Sequence, residues 1–329
     1  MKHLAIAGQR GRHYLITLSV IVLINFMLPR LMPGDPFSSE EDVFDQAYSD
    51  NMTQEQLLYL KHYYNLDQPL ASQLVGYLWK LVHGDMGYSL AYKEKVSTLI
   101  MQRLPWTLLM VLGSLLLSSA LGTLLGAFSA WNRNRYIDQW LYPIIILWSE
   151  IPSFVIGLIL LCLFSIYLHW FPMAGSQTPF SHNHHWFYHL INILYYATLP
   201  LLTLTFSKLG RFYLLARNSM LTILAKDYIT TARAKGLKSR AILYRHALRN
   251  AMLPIITRIF MSLGSLFSGA IIVENIFAYP GVGTLMGSAI SNRDYVLLQG
   301  IFIFISVSIL TMNLLSDLIY KKLDPRISL

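Results

Sequence analysis

One cysteine, Cys162, stands in 329 residues, so no disulfide can form within the chain. It lies inside an apolar run, where its ordinary reading is a small core side chain. Charge is scarce as well: Asp, Glu, Lys and Arg make up 13% of the chain against 54% apolar residues. That balance argues against a soluble globule and for several bilayer crossings, each needing about 20 mostly apolar residues. Also missing are a Gly-x-x-x-x-Gly-Lys-Ser/Thr phosphate loop, His-Glu-x-x-His, Cys-x-x-Cys and Gly-x-Ser-x-Gly. The chain is therefore not expected to be an enzyme or to bind a cofactor. Energy for transport must come from a partner or from an ion gradient.

What is present is a series of apolar segments. Residues 14–32, 106–130, 139–168, 191–209, 258–277 and 298–320 each have the length and composition of a span. The fold class expected is all-α: a polytopic membrane protein with six transmembrane helices. The first run follows Lys2, Arg10 and Arg12, is long for a signal peptide and has no Ala-x-Ala site after it, so it reads as an uncleaved anchor. Arg30 near its far end can snorkel to the interface. Gly113, Gly122 and Gly126, with Ser114, Ser118 and Ser119, give the second span small faces where helices can approach closely. Pro143 and Pro152 predict a kinked third span.

The loops test that count, because cytosolic loops collect Lys and Arg. The loop over 208–258 carries eleven basic residues and one acid, Asp227, whereas 169–190 has no Lys or Arg and 278–297 only Arg293. Arg133 and Arg135 follow the second span, and Lys321, Lys322 and Arg326 follow the last. Inside and outside alternate, with both termini cytosolic. Three regions result: a cytosolic amino terminus and first span at 1–32, an external loop subdomain at 33–104, and a five-helix core at 105–329 that contains an inner loop at 222–254. The external region holds ten of the seventeen acids against five Lys or Arg, with a helix start at Thr53-Gln54-Glu55-Gln56.

The inner loop is the most informative stretch. Residues 227–254 read as two short helices joined at Lys235-Gly236, where Gly236 can end the first by turning left-handed. Past it, Leu243, Ala247, Leu248, Ala251 and Met252 fall on one side of a helical wheel, and Lys238, Arg245 and Arg249 on the other. Such a basic stretch is either a positive-inside signal that also attracts anionic lipid or a surface that docks a partner. Asp227, Tyr228, Thr230, Thr231, Ala232, Arg233, Ala234, Lys235, Gly236, Arg245 and Arg249 are the candidate residues.

Thr230-Thr231-Ala232, Arg233-Ala234-Lys235 and Gly236 resemble the loop in which permeases of ATP-driven (ABC) importers carry Glu-Ala-Ala, three residues and Gly. The glycine and the second alanine match; the Glu does not. Ala-Arg-Ala-Lys-Gly-Leu, followed by Arg-His-Ala-Leu-Arg-Asn-Ala and Leu253-Pro254, is similar to the oligopeptide, dipeptide and nickel branch of that family. Pro33-Gly34-Asp35-Pro36, the stretch from Gly84 to Ser89, Ile151-Pro152-Ser153-Phe154, the stretch from Trp170 to Gly175, the stretch from Glu274 to Gly283 and the closing Leu323-Asp324-Pro325-Arg326 extend the likeness over nearly the whole chain. The resemblance implies a permease subunit in the bacterial inner membrane that moves short peptides or similar small solutes. It implies as partners a second permease subunit, or a copy of this one, completing the pore, two ATP-binding subunits that use ATP and Mg and grip the inner loop through these coupling helices, and an external substrate-binding protein. The lipid bilayer is the remaining partner, and nucleic acid is not expected. Glu150, where the family has a smaller polar residue, is a candidate for the translocation path together with Ser153 and Glu274.

Two other functions stay open. Ser181-His182-Asn183-His184-His185 is a local histidine cluster, so a nickel or metal-chelate permease is one alternative, with His182, His184 and His185 as candidate ligands against the plain reading of a solvated loop. An ion-coupled transporter working alone is the other. It would place several ionisable groups in its spans, and here Glu150, Glu274 and Asp317 are few.

Overall fold

The structure is a computed structural model of the chain and describes residues 12, 14, 16–27, 69–178, 186–264 and 269–323. The Pro33 to Pro36 stretch, the helix start at Thr53, the histidines at 182, 184 and 185 and the closing Asp324 to Arg326 lie outside the described residues. All regular elements among the described residues are helical: α1 (Ile16–Met27), α2 (Leu70–Val82), α3 (Val96–Trp131), α4 (Tyr136–Ser149), α5 (Ser153–Leu160), π1 (Leu161–Tyr167), α6 (Trp186–Leu224), α7 (Asp227–Ala234), α8 (Ser239–Ala241), π2 (Ile242–Leu248), α9 (Arg249–Leu263), α10 (Ala270–Ile276), α11 (Val282–Ser291) and α12 (Tyr295–Leu323).

α3, α6 and α12 are each long and apolar enough to cross a membrane, and α4 with α5 and π1 makes a fourth crossing if the 102° bend between them belongs to one span. The kink expected from Pro143 and Pro152 is thus a full elbow: Ser149 ends one helix and Pro152, with its fixed backbone, precedes the next. The fifth expected run is not one helix. Over 258–277 the chain forms the end of α9, which stops at Leu263, and the separate α10, entered from Gly269 in a left-handed conformation (φ +83°). Apolar composition reports burial in lipid or core, and a glycine can leave the helix without changing it. Of the first expected span, the 12 residues of α1 are described as a continuous helix.

The chain divides into two compact units, residues 1–102 with 285–307 and residues 103–284 with 308–329. In the first, Asp294 is the organising side chain. One carboxylate oxygen caps α12 by accepting from the Leu297 amide at 3.0 Å, and the other accepts from Ser89 Oγ at 2.6 Å and the Ala91 amide at 3.1 Å. Nearby, Asn25 Nδ2 at the end of α1 donates to the Gln299 carbonyl at 2.9 Å and to the Tyr77 hydroxyl at 3.2 Å.

In the second unit α3 and α6 run parallel in close contact, which follows from the glycines of α3. A methyl group on Gly122 would stand 2.7 Å from Phe212 Cβ and 2.9 Å from the Leu209 carbonyl; on Gly126 it would stand 2.5 Å from the Tyr213 carbonyl and 2.9 Å from Ala216 Cβ. Further back, Gly113 faces the tip of the Leu201 side chain. Gly122 and Gly126, four residues apart, form one small face, as their spacing predicts. Gly210 of α6 turns toward the end of α4 at Ser149, and Gly157 of α5 lies against Thr203. α4 and α5 therefore descend α6 in the opposite sense. Replacing Gly126 with Val should destabilise this pairing by about 1–3 kcal/mol, the usual cost of overpacking a filled contact. Thermal unfolding in detergent should show a lower midpoint for Gly126→Val, with Gly76→Val, which meets open space, as the control.

Candidate docking site

The inner loop is built as a hairpin of short helices. Gly236 has φ +73° and ends α7 through paired hydrogen bonds, the Leu237 amide donating to the Ala232 carbonyl at 3.3 Å and the Gly236 amide to the Arg233 carbonyl at 2.9 Å. This is the left-handed helix ending expected from the glycine. Lys238 then begins α8, which passes into the wider i→i+5 turns of π2 before α9 resumes normal spacing.

One side of the hairpin is sealed. Ile229 and Ala232 of α7, Ile242 and Ala247 of π2 and Ala251 of α9 pack on Ala127 and Ala130 of α3 and Met220 of α6, with Trp131, Leu224, Leu243 and Leu248 around them. Alanines on both faces bring the helices together at short range, so Ala232 faces inward rather than outward. The other side is open: Asp227, Tyr228, Thr230, Thr231, Arg233, Ala234, Lys235, Gly236, Arg245 and Arg249 are all exposed, joined by Leu237 and Tyr244. The space beyond Gly236 is empty. Internal ties brace the hairpin: Asn250 Nδ2 donates to the Tyr228 hydroxyl at 3.1 Å, Thr231 Oγ1 donates to the Asp227 carbonyl at 3.1 Å, and the Arg233 guanidinium lies 5.9 Å from the Trp131 ring centre. Among the described residues none of these basic groups forms an ion pair.

Above the hairpin lies a polar set that the sequence alone did not disclose. Arg217 of α6 holds Asp138 of α4 with both ends of its fork, Nη2 to Oδ2 at 2.8 Å and Nε to Oδ1 at 3.0 Å. Ser129 of α3 donates to Asp138 and shares a 2.7 Å hydrogen bond with the Tyr213 hydroxyl, and the Tyr142 ring covers the guanidinium at 4.5 Å. Three helices are thereby tied at one level. The signal available was Asp138 itself, an acid beside a long apolar run; its partner lies 79 residues away in sequence.

No hydrogen bond or ion pair among the described residues joins Glu150, Ser153 and Glu274. Glu150 is exposed at the elbow after α4, and its carboxylate makes no hydrogen bond or ion pair with the described residues; Ser153 opens α5 beyond the elbow. Glu274 is wholly buried: Oε1 accepts from Thr107 Oγ1 at 2.7 Å and Oε2 from the Gly283 amide at 2.6 Å, while Thr107 Oγ1 accepts from the Val282 amide at 2.9 Å. Its carboxylate therefore sits at the amino end of α11, where helix amides favour a negative charge. Gly281 and Gly283 leave room for it, since a methyl group on either would collide with the carboxylate. Lys208 of α6 donates to Ser114 of α3 at 3.1 Å. Among the described residues no group of three His, Cys, Asp or Glu side chains is placed to hold a metal ion.

Long apolar helices joined by an exposed basic hairpin define an integral membrane protein that crosses the bilayer more than once. Residues 122–329 match the family described as binding-protein-dependent transport system inner membrane component, and the chain belongs to that family. It is a multi-pass inner-membrane permease component of such a system and is not itself an enzyme. Similar proteins include one from Brucella suis biovar 1 named as a peptide permease, 34% identical over 320 residues that cover 96% of each chain. A Sinorhizobium fredii protein named as a peptide ABC transporter permease is 33% identical over 319 residues, 96% of this chain and 97% of its own. The oligopeptide transport system permease protein AppB of Bacillus subtilis is 33% identical over 309 residues, 93% of this chain and 94% of its own.

Two measurements probe the site. Gly236→Ala should weaken the end of α7 by about 1–2 kcal/mol, the cost of a left-handed conformation for a residue with a side chain, and Gly236→Asn by less; amide exchange across 232–237 reads the difference. Asp138→Ala and Arg217→Ala each leave a partly buried charge alone and should cost about 3–5 kcal/mol. The paired Asp138→Ala, Arg217→Met variant should be less damaged than either, as judged by unfolding in detergent.

Proposed function

We propose that this chain is half of the translocation pore of an ATP-driven importer of short peptides, completed by a second permease subunit or a second copy. Relatives named as peptide permeases that align over nearly the full length support the substrate class. Two ATP-binding subunits, using ATP and Mg, grip the inner hairpin, and an external binding protein delivers the substrate. The permease core spans 105–329, crosses the membrane with five of six spans, and follows a cytosolic amino terminus and first span at 1–32 and an external loop subdomain at 33–104. Both termini and residues 222–254 face the cytosol, in keeping with the basic excess there.

The observation that carries the reading is the two-sidedness of the hairpin: one side is packed on α3 and α6, and the other presents Tyr228, Leu237, Tyr244 and unpaired Arg and Lys side chains to the exterior. Attraction to anionic lipid accounts for the basic residues but not for Leu237 and Tyr244 standing among them. Motion of the ATPase pair on nucleotide binding is passed through the hairpin to the two helices beneath it, and the pore alternates between outward and inward openings. Glu150 and Ser153, at the elbow, belong to the path of the substrate. The engaged carboxylate of Glu274 supports a different task, holding the turn after α10.

Leu237→Asp alters the exposed side alone. It should leave membrane insertion and thermal stability unchanged, abolish co-purification of the ATPase subunits and bring peptide uptake to background. Normal uptake by this variant would argue that the hairpin is not the docking surface.

A further inference from the structure

α2 has its polarity reversed for a helix in water. Gln73 is buried and the Tyr77 hydroxyl is taken by Asn25, while Val75, Trp79 and Val82 are 67%, 69% and 82% exposed with Leu78 beside them. Positions 75, 78, 79 and 82 are three and four residues apart and form one stripe along the helix. No charge interrupts it, and Lys80 and Gln73 lie on the opposite side of the wheel. A surface helix bathed in water shows the opposite arrangement.

α1 carries an exposed apolar stripe of its own. α1 exposes Ile16, Val20, Leu23, Ile24 and Met27 at helical spacing, and its last turn is where α2 attaches: the Phe26 and Tyr77 rings lie 5.7 Å apart beside the Asn25 hydrogen bond. α2 is therefore fixed at the end of α1 through Tyr77, with its apolar stripe turned away from that contact. Trp79 is the residue type enriched where a bilayer meets water, and its ring is held by His83, 4.5 Å away between centroids. A protein partner would call for about one hydrogen bond per 100–200 Å² of contact. The stripe offers one donor, the Trp79 indole N–H, and lipid carbonyls at head-group depth can accept from it.

We propose that α2 lies in the outer interface of the bilayer, with Val75, Leu78, Trp79 and Val82 sunk among the upper acyl chains. The occupant of the stripe is lipid, and the helix sets the height at which the external segment leaves the membrane. This rests on the orientation given under Proposed function, in which the chain after α1 is external.

The test uses the full chain in nanodiscs of phosphatidylethanolamine and phosphatidylglycerol. Cys162→Ser removes the native thiol, and a spin label is attached in turn to Val75→Cys, Val82→Cys and, as a loop reference, Lys95→Cys, all at exposed positions where a label displaces no packing. Relaxation by oxygen, which concentrates in lipid, is compared with relaxation by a water-soluble nickel chelate. Positions 75 and 82 should favour oxygen several-fold over position 95. Equal access to the nickel chelate at all three would overturn the proposal in favour of a water-facing helix, and shielding of 75 and 82 from both reagents would overturn it in favour of a protein cover. An impermeant maleimide on cells reports sidedness separately: labelling of Lys95→Cys from outside supports the outer leaflet, whereas labelling only after access to the cytosol sinks the orientation, whichever relaxer the spin labels prefer.

Discussion

The close parallel contact of α3 and α6 is the constraint on which the 103–284 unit is built. In lipid there is little hydrophobic drive to join two apolar helices, so association relies on surface fit and on hydrogen bonds between helices. Gly122 and Gly126 provide the fit by letting the α6 backbone approach from Leu209 to Arg217. The hydrogen bonds follow at the end of the same contact, where Ser129, Tyr213 and Arg217 enclose Asp138. α4 is attached to the pair through that carboxylate and through Ser149 against Gly210, and the short helices of the inner loop rest on what the pair leaves uncovered.

Much of this was legible in the sequence, for reasons that differ by residue. The small face of α3 could be read because glycines on one helical face have few other uses in a span. The left-handed turn at Gly236 could be read because a helix pattern stops there and another begins. The wheel that put Leu243, Ala247 and Ala251 on one side and Arg245 and Arg249 on the other matches their burial, even though part of the segment winds with wider turns. The break between α9 and α10 was not legible, since the residues on both sides are apolar. The pairing of Asp138 with Arg217 was hidden by its sequence separation and by the number of basic residues that could have served.

Two carboxylates show how far residue type falls short of role. Glu150 and Glu274 are both acids in or beside apolar runs, and both are candidates for the translocation path on sequence grounds. Glu150 stands exposed at an elbow, while Glu274 is enclosed by Thr107, Gly283 and the start of α11. The glycines at 281 and 283 mark the difference, because they make sense only if something occupies the space in front of them. A carboxylate held by a hydroxyl and a helix terminus resists being drawn into transport chemistry, since moving it would strand those donors.

The alanine seam beneath the hairpin has a mechanical consequence. Side chains of one carbon make a smooth, shallow contact that resists separation by close fit yet has few ridges to resist sliding. Met220, Ile229 and Ile242 are the bulky members of the buried set, placed like pins among the alanines. Pushed from its outer side, the hairpin would pivot about those pins as a stiff plate, and the ends of α3 and α6 would swing with it.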